Sequence, residues 1–241
     1  GGYYHQTVSI NNLNGTEAQP IIFTAYQAEE VILDGTIPIT TEWDVYNNSI
    51  YRTTIPFDTW QLFVDNQEMI MARWPNAAFD DGSVWNQDEH WGHGNENTGF
   101  NGLLVDDPHG DVSLAGSGLD ITGAVATLNV GSFRSWYRVV EQHSAGGGSF
   151  DYDPVPQSGY RTKHHYYFID CKLNLLDREQ EWFYDYQSGE LYLWAPDGGD
   201  PTGMEIRGKV QTYAFEMENS DYIHISGLKF FATTLKTDGC D

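Results

Sequence analysis

Short runs of β-branched and aromatic residues, broken every few positions by polar corners, set the pattern of this chain. Ile21-Ile22-Phe23-Thr24-Ala25-Tyr26 leads into the polar turn Gln27-Ala28-Glu29-Glu30, and Val31-Ile32-Leu33-Asp34 follows and closes on Gly35. Runs of this length and composition predict strands. Residues 1–10 read as a strand as well. The same rhythm returns in Tyr213-Ala214-Phe215-Glu216-Met217, the turn Glu218-Asn219-Ser220-Asp221, Tyr222-Ile223-His224-Ile225 and Gly227-Leu228-Lys229-Phe230-Phe231. Strands repeating with small corners suit a stacked solenoid, in which each turn hands its apolar face to the next. Coils are therefore expected over 1–42 and again over 209–241.

Between these segments the pattern changes. Over 43–208 the strands lengthen and the loops fill with Gly, Asp and Asn; strands are predicted at 60–64, 69–74, 124–130, 136–140, 166–169, 181–185 and 190–194. The last two flank Tyr186-Gln187-Ser188-Gly189, a hairpin turn with glycine in its late position. This reads as an antiparallel β-sandwich-like module inserted between the coils, with one helical turn expected within 171–178. The fold class expected is all-β.

Composition narrows the function. The chain has 241 residues, with 12 Lys and Arg against 35 Asp and Glu, a formal charge of −23. Such a field repels nucleic acid and anionic membranes, and no apolar run approaches the ~18 residues that a spanning helix needs. The expected partners exclude both, and a soluble chain is expected. No GxSxG elbow, P-loop, dinucleotide fingerprint or HExxH occurs, so serine-hydrolase, nucleotide and metalloprotease chemistries have no support. Cys171 and Cys240 are too few for a disulfide scaffold; a Cys171–Cys240 bridge and two separate thiols are both open. Asn14 and Asn47 begin N-glycosylation acceptor triplets, and with the acidic, aromatic-rich composition they favour a secreted, extracellular protein. Residues 1–10 carry no initiator Met or apolar leader, and 230–241 stop without a polar tail, so a piece of a longer structure is expected, with self-association through an open solenoid end.

The most unusual segment is 85–97, which carries Trp85, His90, Trp91 and His93 among Asp88, Glu89 and asparagines. Sugar rings stack their C–H faces on indoles and pair their hydroxyls with such polar groups. A saccharide-lining loop and a surface loop whose tryptophans pack inward are both open. A zinc site from Asp88, His90 and His93 lacks a helix to set its spacing, and the expectation is no metal, with calcium at acidic loops such as Asp80-Asp81 or Asp106-Asp107 left open. Strand alternation puts Arg134, Trp136 and Arg138 on one face, opposite Tyr137; that face suits either a carboxylated sugar or ion pairs with nearby acids. His164 and His165 point oppositely. Asp34, Asp238 and Asp241 are read as corner residues beside glycines. Glycoside cleavage needs two carboxyl groups at a defined separation, which 35 acids in a sequence cannot identify, so the catalytic residues are unknown.

Val31-Ile32-Leu33-Asp34-Gly35-Thr36, then Gln61-Leu62-Phe63-Val64-Asp65 with Ala72-Arg73-Trp74-Pro75-Asn76, then Glu181-Trp182-Phe183-Tyr184-Asp185 with Gly189-Glu190-Leu191-Tyr192-Leu193-Trp194, then Tyr222-Ile223-His224-Ile225-Ser226-Gly227-Leu228 occur in this order. The arrangement resembles the N-terminal region of right-handed parallel β-helix carbohydrate-active enzymes of the pectate-lyase-like superfamily, especially glycoside hydrolases with an early β-sandwich insertion. The resemblance implies a polysaccharide or oligosaccharide partner and catalytic groups on coils after Asp241. The expectation is the N-terminal part of a polysaccharide-degrading enzyme, a hydrolase ahead of a lyase and inactive as this piece alone. Its rival is a non-catalytic extracellular rod or glycan-binding surface.

Overall fold

Alternating apolar and polar positions become strands wherever one side chain in two can be buried. In the computed structural model, which describes residues 1–131, 133–156 and 165–240, 46% of the chain is strand and 9% helical. The chain is all-β. His164 and Asp241 lie outside the described residues. Two units are distinguished: one comprises Gly1–Thr40, Phe57–Asn66 and Glu205–Asp241, the other Thr41–Pro56 and Gln67–Met204.

The first unit is built from short parallel pairings. Gly2–Tyr4 lies parallel to Val31–Asp34, which lies parallel to Lys229–Phe231. Val8–Asn11, Tyr213–Glu218 and Thr234–Asp238 form a second parallel set, and Ile21–Thr24 with Ile223–Ser226 a third. Leu62–Val64 and Thr36–Pro38 instead flank Ile206–Lys209 in antiparallel fashion. Ile10, Leu33, Ala214, Phe215 and Met217 make a small core, with Phe23, Ile223 and Ile225 packed on it. Glycine is required at position 35: a Cβ there would fall 2.5 Å from the Ala232 carbonyl oxygen and 2.7 Å from that of Gln211.

Asp34 differs from its reading as a corner residue. It ends the strand Val31–Asp34, is 1% exposed, and accepts hydrogen bonds from the Thr36 amide and hydroxyl at 2.8 and 2.7 Å. Arg207 pairs with its other oxygen. A buried carboxylate needs such partners, and Arg207, 173 positions away, is too distant in sequence to reveal the pairing. Asp238 ends a strand beside Gly239, whose φ is 60°.

The second unit has two sheets. One runs Arg73–Trp74, His165–Asp170, Val125–Gly131, Arg134–His143, Ser149–Tyr152, Leu103–Val105, antiparallel throughout, with Gly92–Gly94 also on His165–Asp170. The other runs Gln67–Met71, Glu181–Asp185, Glu190–Leu193, Ile50–Thr54, Asp44–Asn47; only its first pair is parallel. The sheets share one core: Ala126, Leu128, Phe150, Tyr167 and Ile169 come from the first, Ile50 and Tyr192 from the second. The predicted strand 69–74 divides at Ala72. The Ala72 amide donates to Trp182 in the second sheet at 2.7 Å, while Arg73 pairs with Asp170 in the first. The helical turn expected within 171–178 is the 3-10 turn Leu173–Leu175.

Cys171 and Cys240 are free thiols in this structure. Each has its own local setting: Cys171 follows the strand His165–Asp170, and the Cys240 thiol faces the carbonyls of Met217 and Asp238 at 3.6 and 3.5 Å.

Candidate functional site

The second unit carries an open cavity of about 750 Å3 whose wall includes Trp74, Asn76, Asp88, Glu89, His90, His109, Asp111 and Asp177. Two excursions from the first sheet supply most of this wall. The first leaves the strand Arg73–Trp74 through a cis Trp74–Pro75 peptide and returns at Gly92–Gly94. Short polar side chains fold it: Asp81 accepts from the Ser83 amide and the Ser83 hydroxyl from the Ala78 amide, both at 2.8 Å, as Asx and Ser turns do. The 3-10 turn Ser83–Trp85 and the single helical turn Gln87–His90 follow. The His90 ring donates from Nδ1 to the Asn76 carbonyl at 3.0 Å.

The second excursion, between Leu103–Val105 and Val125–Gly131, hangs on Asp106. Its carboxylate accepts from the Tyr167 hydroxyl at 2.7 Å and the Leu114 amide at 2.9 Å, and burial raises it above the usual carboxylate range against both bonds. His109, on this excursion, stacks on His93 with ring centroids 3.6 Å apart and planes 10° from parallel. Both His109 ring nitrogens are shielded from solvent and have no hydrogen-bond partner. His93 donates from Nε2 to the Gln87 carbonyl at 3.2 Å, and Tyr166 meets its ring edge-on. The Tyr166 hydroxyl donates to Asp88 at 2.8 Å; burial and that carboxylate push the phenol up to about 12.

Carboxylates, an amide and the His90 imidazole beside an indole can accept from and donate to ring hydroxyls while the indole covers a C–H face. Asp177 already orders Asn76 through a 2.8 Å bond from the Asn76 amide nitrogen.

The residues singled out from the sequence separate. His90 lines the cavity, and His93 sits behind it in the imidazole stack. Trp91 packs inward: its indole N–H donates to the Val84 carbonyl at 3.1 Å and its ring meets Phe168 edge-on at 4.7 Å. Trp85 is 79% exposed. Arg134, Trp136 and Arg138 alternate as expected, on the side that continues to the buried Val140. Trp136 packs on Phe100 and the core, Arg138 pairs with Asp153, and Arg134 is exposed. Asn14 and Asn47 are exposed. His165 donates from Nδ1 to the Asn95 carbonyl at 2.9 Å.

Among the described residues no group of three or more His, Cys, Asp or Glu is placed to hold a metal ion. Asp88, His90 and His93 each serve a different partner, as given above. Asp80 accepts from Gln180 and Asp81 pairs with Arg178 at 3.5 Å.

Sequence reading passed over His109, Asp111 and the buried pair Arg73 and Glu181. The last two carried a signal, a single charge set against apolar runs: Met69-Ile70-Met71-Ala72 before Arg73, and Trp182-Phe183-Tyr184 after Glu181.

No protein-family model matches this chain, and no curated protein does. Among solved structures the chain is similar to a protein named glycoside hydrolase, with a TM-score of 0.66 and 16% identity. The match covers 95% of this chain and 41% of that one, so this chain spans about two fifths of the length of the structure it resembles in fold.

Proposed function

We propose that this chain is the N-terminal part of a secreted, polysaccharide-degrading protein, a glycoside hydrolase ahead of a lyase, and that the cavity beside Trp74 binds saccharide. The observation that carries the reading is the likeness of nearly the whole chain to part of a protein named glycoside hydrolase. In this reading the parallel sets of the first unit are turns of a right-handed parallel β-helix, and the second unit is a sandwich-like insertion. The exposed Asn14 and Asn47 triplets support secretion. In this reading the acid and base that cleave the glycosidic bond, which must converge within a few ångströms of one sugar, lie on coils after Asp241, as the resemblance implies.

The test has two parts. The 241-residue chain is titrated calorimetrically with cellohexaose, xylohexaose and mannohexaose; binding of at least one, weakened about tenfold or more by Asp111→Ala, is expected, since a lost hydrogen bond to a charged group is worth about 1.5–3 kcal/mol. The same chain should release no reducing ends from the matching polysaccharides. Failure of all three sugars to bind would overturn the cavity assignment, and robust release of reducing ends would overturn the placement of the catalytic groups.

A further inference from the structure

We infer that Arg73 and Glu181 are positioning residues for this cavity, an inference that rests on reading the cavity as the saccharide site. Its wall draws on three separate stretches, and two of them, Pro75 to His90 and the residue Asp177, are fastened to this one buried pair.

Arg73 is 4% exposed. Its Nε donates to the Pro75 carbonyl at 2.9 Å and its Nη2 to the His90 carbonyl at 3.1 Å, so one guanidinium holds the two ends of the stretch that carries Asn76, Asp88, Glu89 and His90. The same group lies 4.1 Å over the Phe168 ring, which fixes its plane. Glu181 is fully buried. One of its oxygens accepts from the Arg73 amide at 3.3 Å; the other accepts from the amides of Asp177 at 3.1 Å and Arg178 at 3.3 Å. The carboxylate therefore sets the backbone from which Asp177 reaches Asn76.

Residue type matters at both positions. A rigid planar fork can serve two carbonyls at once, whereas a lysine ammonium is a point charge on a flexible stem. A carboxyl group has a lone pair to accept with at both oxygens, protonated or not; a glutamine in its place turns an N–H2 group toward at least one of the three amides, donor against donor. Buried charged groups are weak contributors to stability compared with apolar packing of the same volume. Their use here, where the chain passes from one sheet to the other at Ala72, is accounted for by the geometry they impose on the two walls.

Arg73→Lys and Glu181→Gln in the full chain test this, with the core variant Leu128→Ala as a control for loss of stability alone. Calorimetry with cellohexaose, xylohexaose and mannohexaose is expected to show affinity for the bound sugar reduced about fivefold or more, roughly 1 kcal/mol, in both charge variants and unchanged in Leu128→Ala. Hydrogen exchange provides a readout independent of any sugar: in the unsubstituted chain the Asp177 and Arg178 amides, outside every strand and helix, should exchange as slowly as that of Ala72, and Glu181→Gln should release them. Unchanged affinity in folded charge variants overturns the inference and leaves the cavity assignment standing. Binding of no sugar overturns that assignment, and exchange then decides alone: fast Asp177 and Arg178 amides in the unsubstituted chain, a measurement that needs no variant to fold, overturn the positioning role.

Discussion

The Trp91 indole stands edge-on to Phe168, ring centroids 4.7 Å apart and planes at 85°, with its N–H spent on the Val84 carbonyl. Trp85, six positions earlier, is 79% exposed. Trp91→Ala should therefore cost about 2–4 kcal/mol, somewhat below the ~3–5 kcal/mol for a fully buried aromatic ring because Trp91 is half-buried, and Trp85→Ala less than about 0.5 kcal/mol. Denaturant titration followed by fluorescence compares them; equal losses would show that the edge-on contact adds nothing to the fold.

Trp136 carries a related expectation. It packs on Phe100 and on the shared core of the second unit, so Trp136→Ala should lower stability by about 3 kcal/mol or more. If the same titration finds stability within about 0.5 kcal/mol of the unsubstituted chain, the ring is available to a ligand.

These tryptophans show what sequence can and cannot display. Strand positions were legible because alternation is local: Glu181–Asp185 and Glu190–Leu193 with their glycine turn emerge where expected. Leu103–Val105 and Ser149–Tyr152 were not, since three or four residues inside glycine-rich loops carry too little periodicity. At the site, His90 stood out by composition, but the partners that place it are distant. Arg73 meets Glu181 and Asp34 meets Arg207 across more than 100 positions, and a lone charge in an apolar run announces a buried partner without naming it.

Asp34 gives the first unit its own prediction. Removing one member of a buried charge pair strands the other, at about 3–5 kcal/mol. Asp34→Ala removes the acceptor for Arg207 and for both Thr36 donors, so thermal unfolding of the first unit should fall sharply. A midpoint unchanged within error would mean that water replaces these bonds without loss.

Acid should stabilise the second unit through its buried carboxyls. Burial pushes Asp170 up to about 6 and Glu181 up to about 8, whereas both titrate near 4 when unfolded. Between those limits the folded chain holds protons that the unfolded chain has released, so their contribution to stability falls as pH rises from about 4 to about 8. Asp170→Asn should flatten the part of that slope below about pH 6. Parallel pH profiles of unfolding midpoint for the two proteins would refute the assignment.

The parallel pairings of the first unit join residues made far apart in time. Thr7 donates to the Tyr213 carbonyl 206 positions later, and Val8–Asn11 finds its partner only in Tyr213–Glu218. Closing so long a loop early is entropically unfavourable, and pairings this distant form slowly. During synthesis Val8–Asn11 and Ile21–Thr24 therefore emerge with their edges bare and stay so until the ribosome has passed residue 213. Meanwhile the second unit has received all its strands and can collapse on its own core. The interval leaves Ile10 and Phe23 without the neighbours that finally cover them, so the stretch that carries them is the one exposed to association while the second unit is already closed.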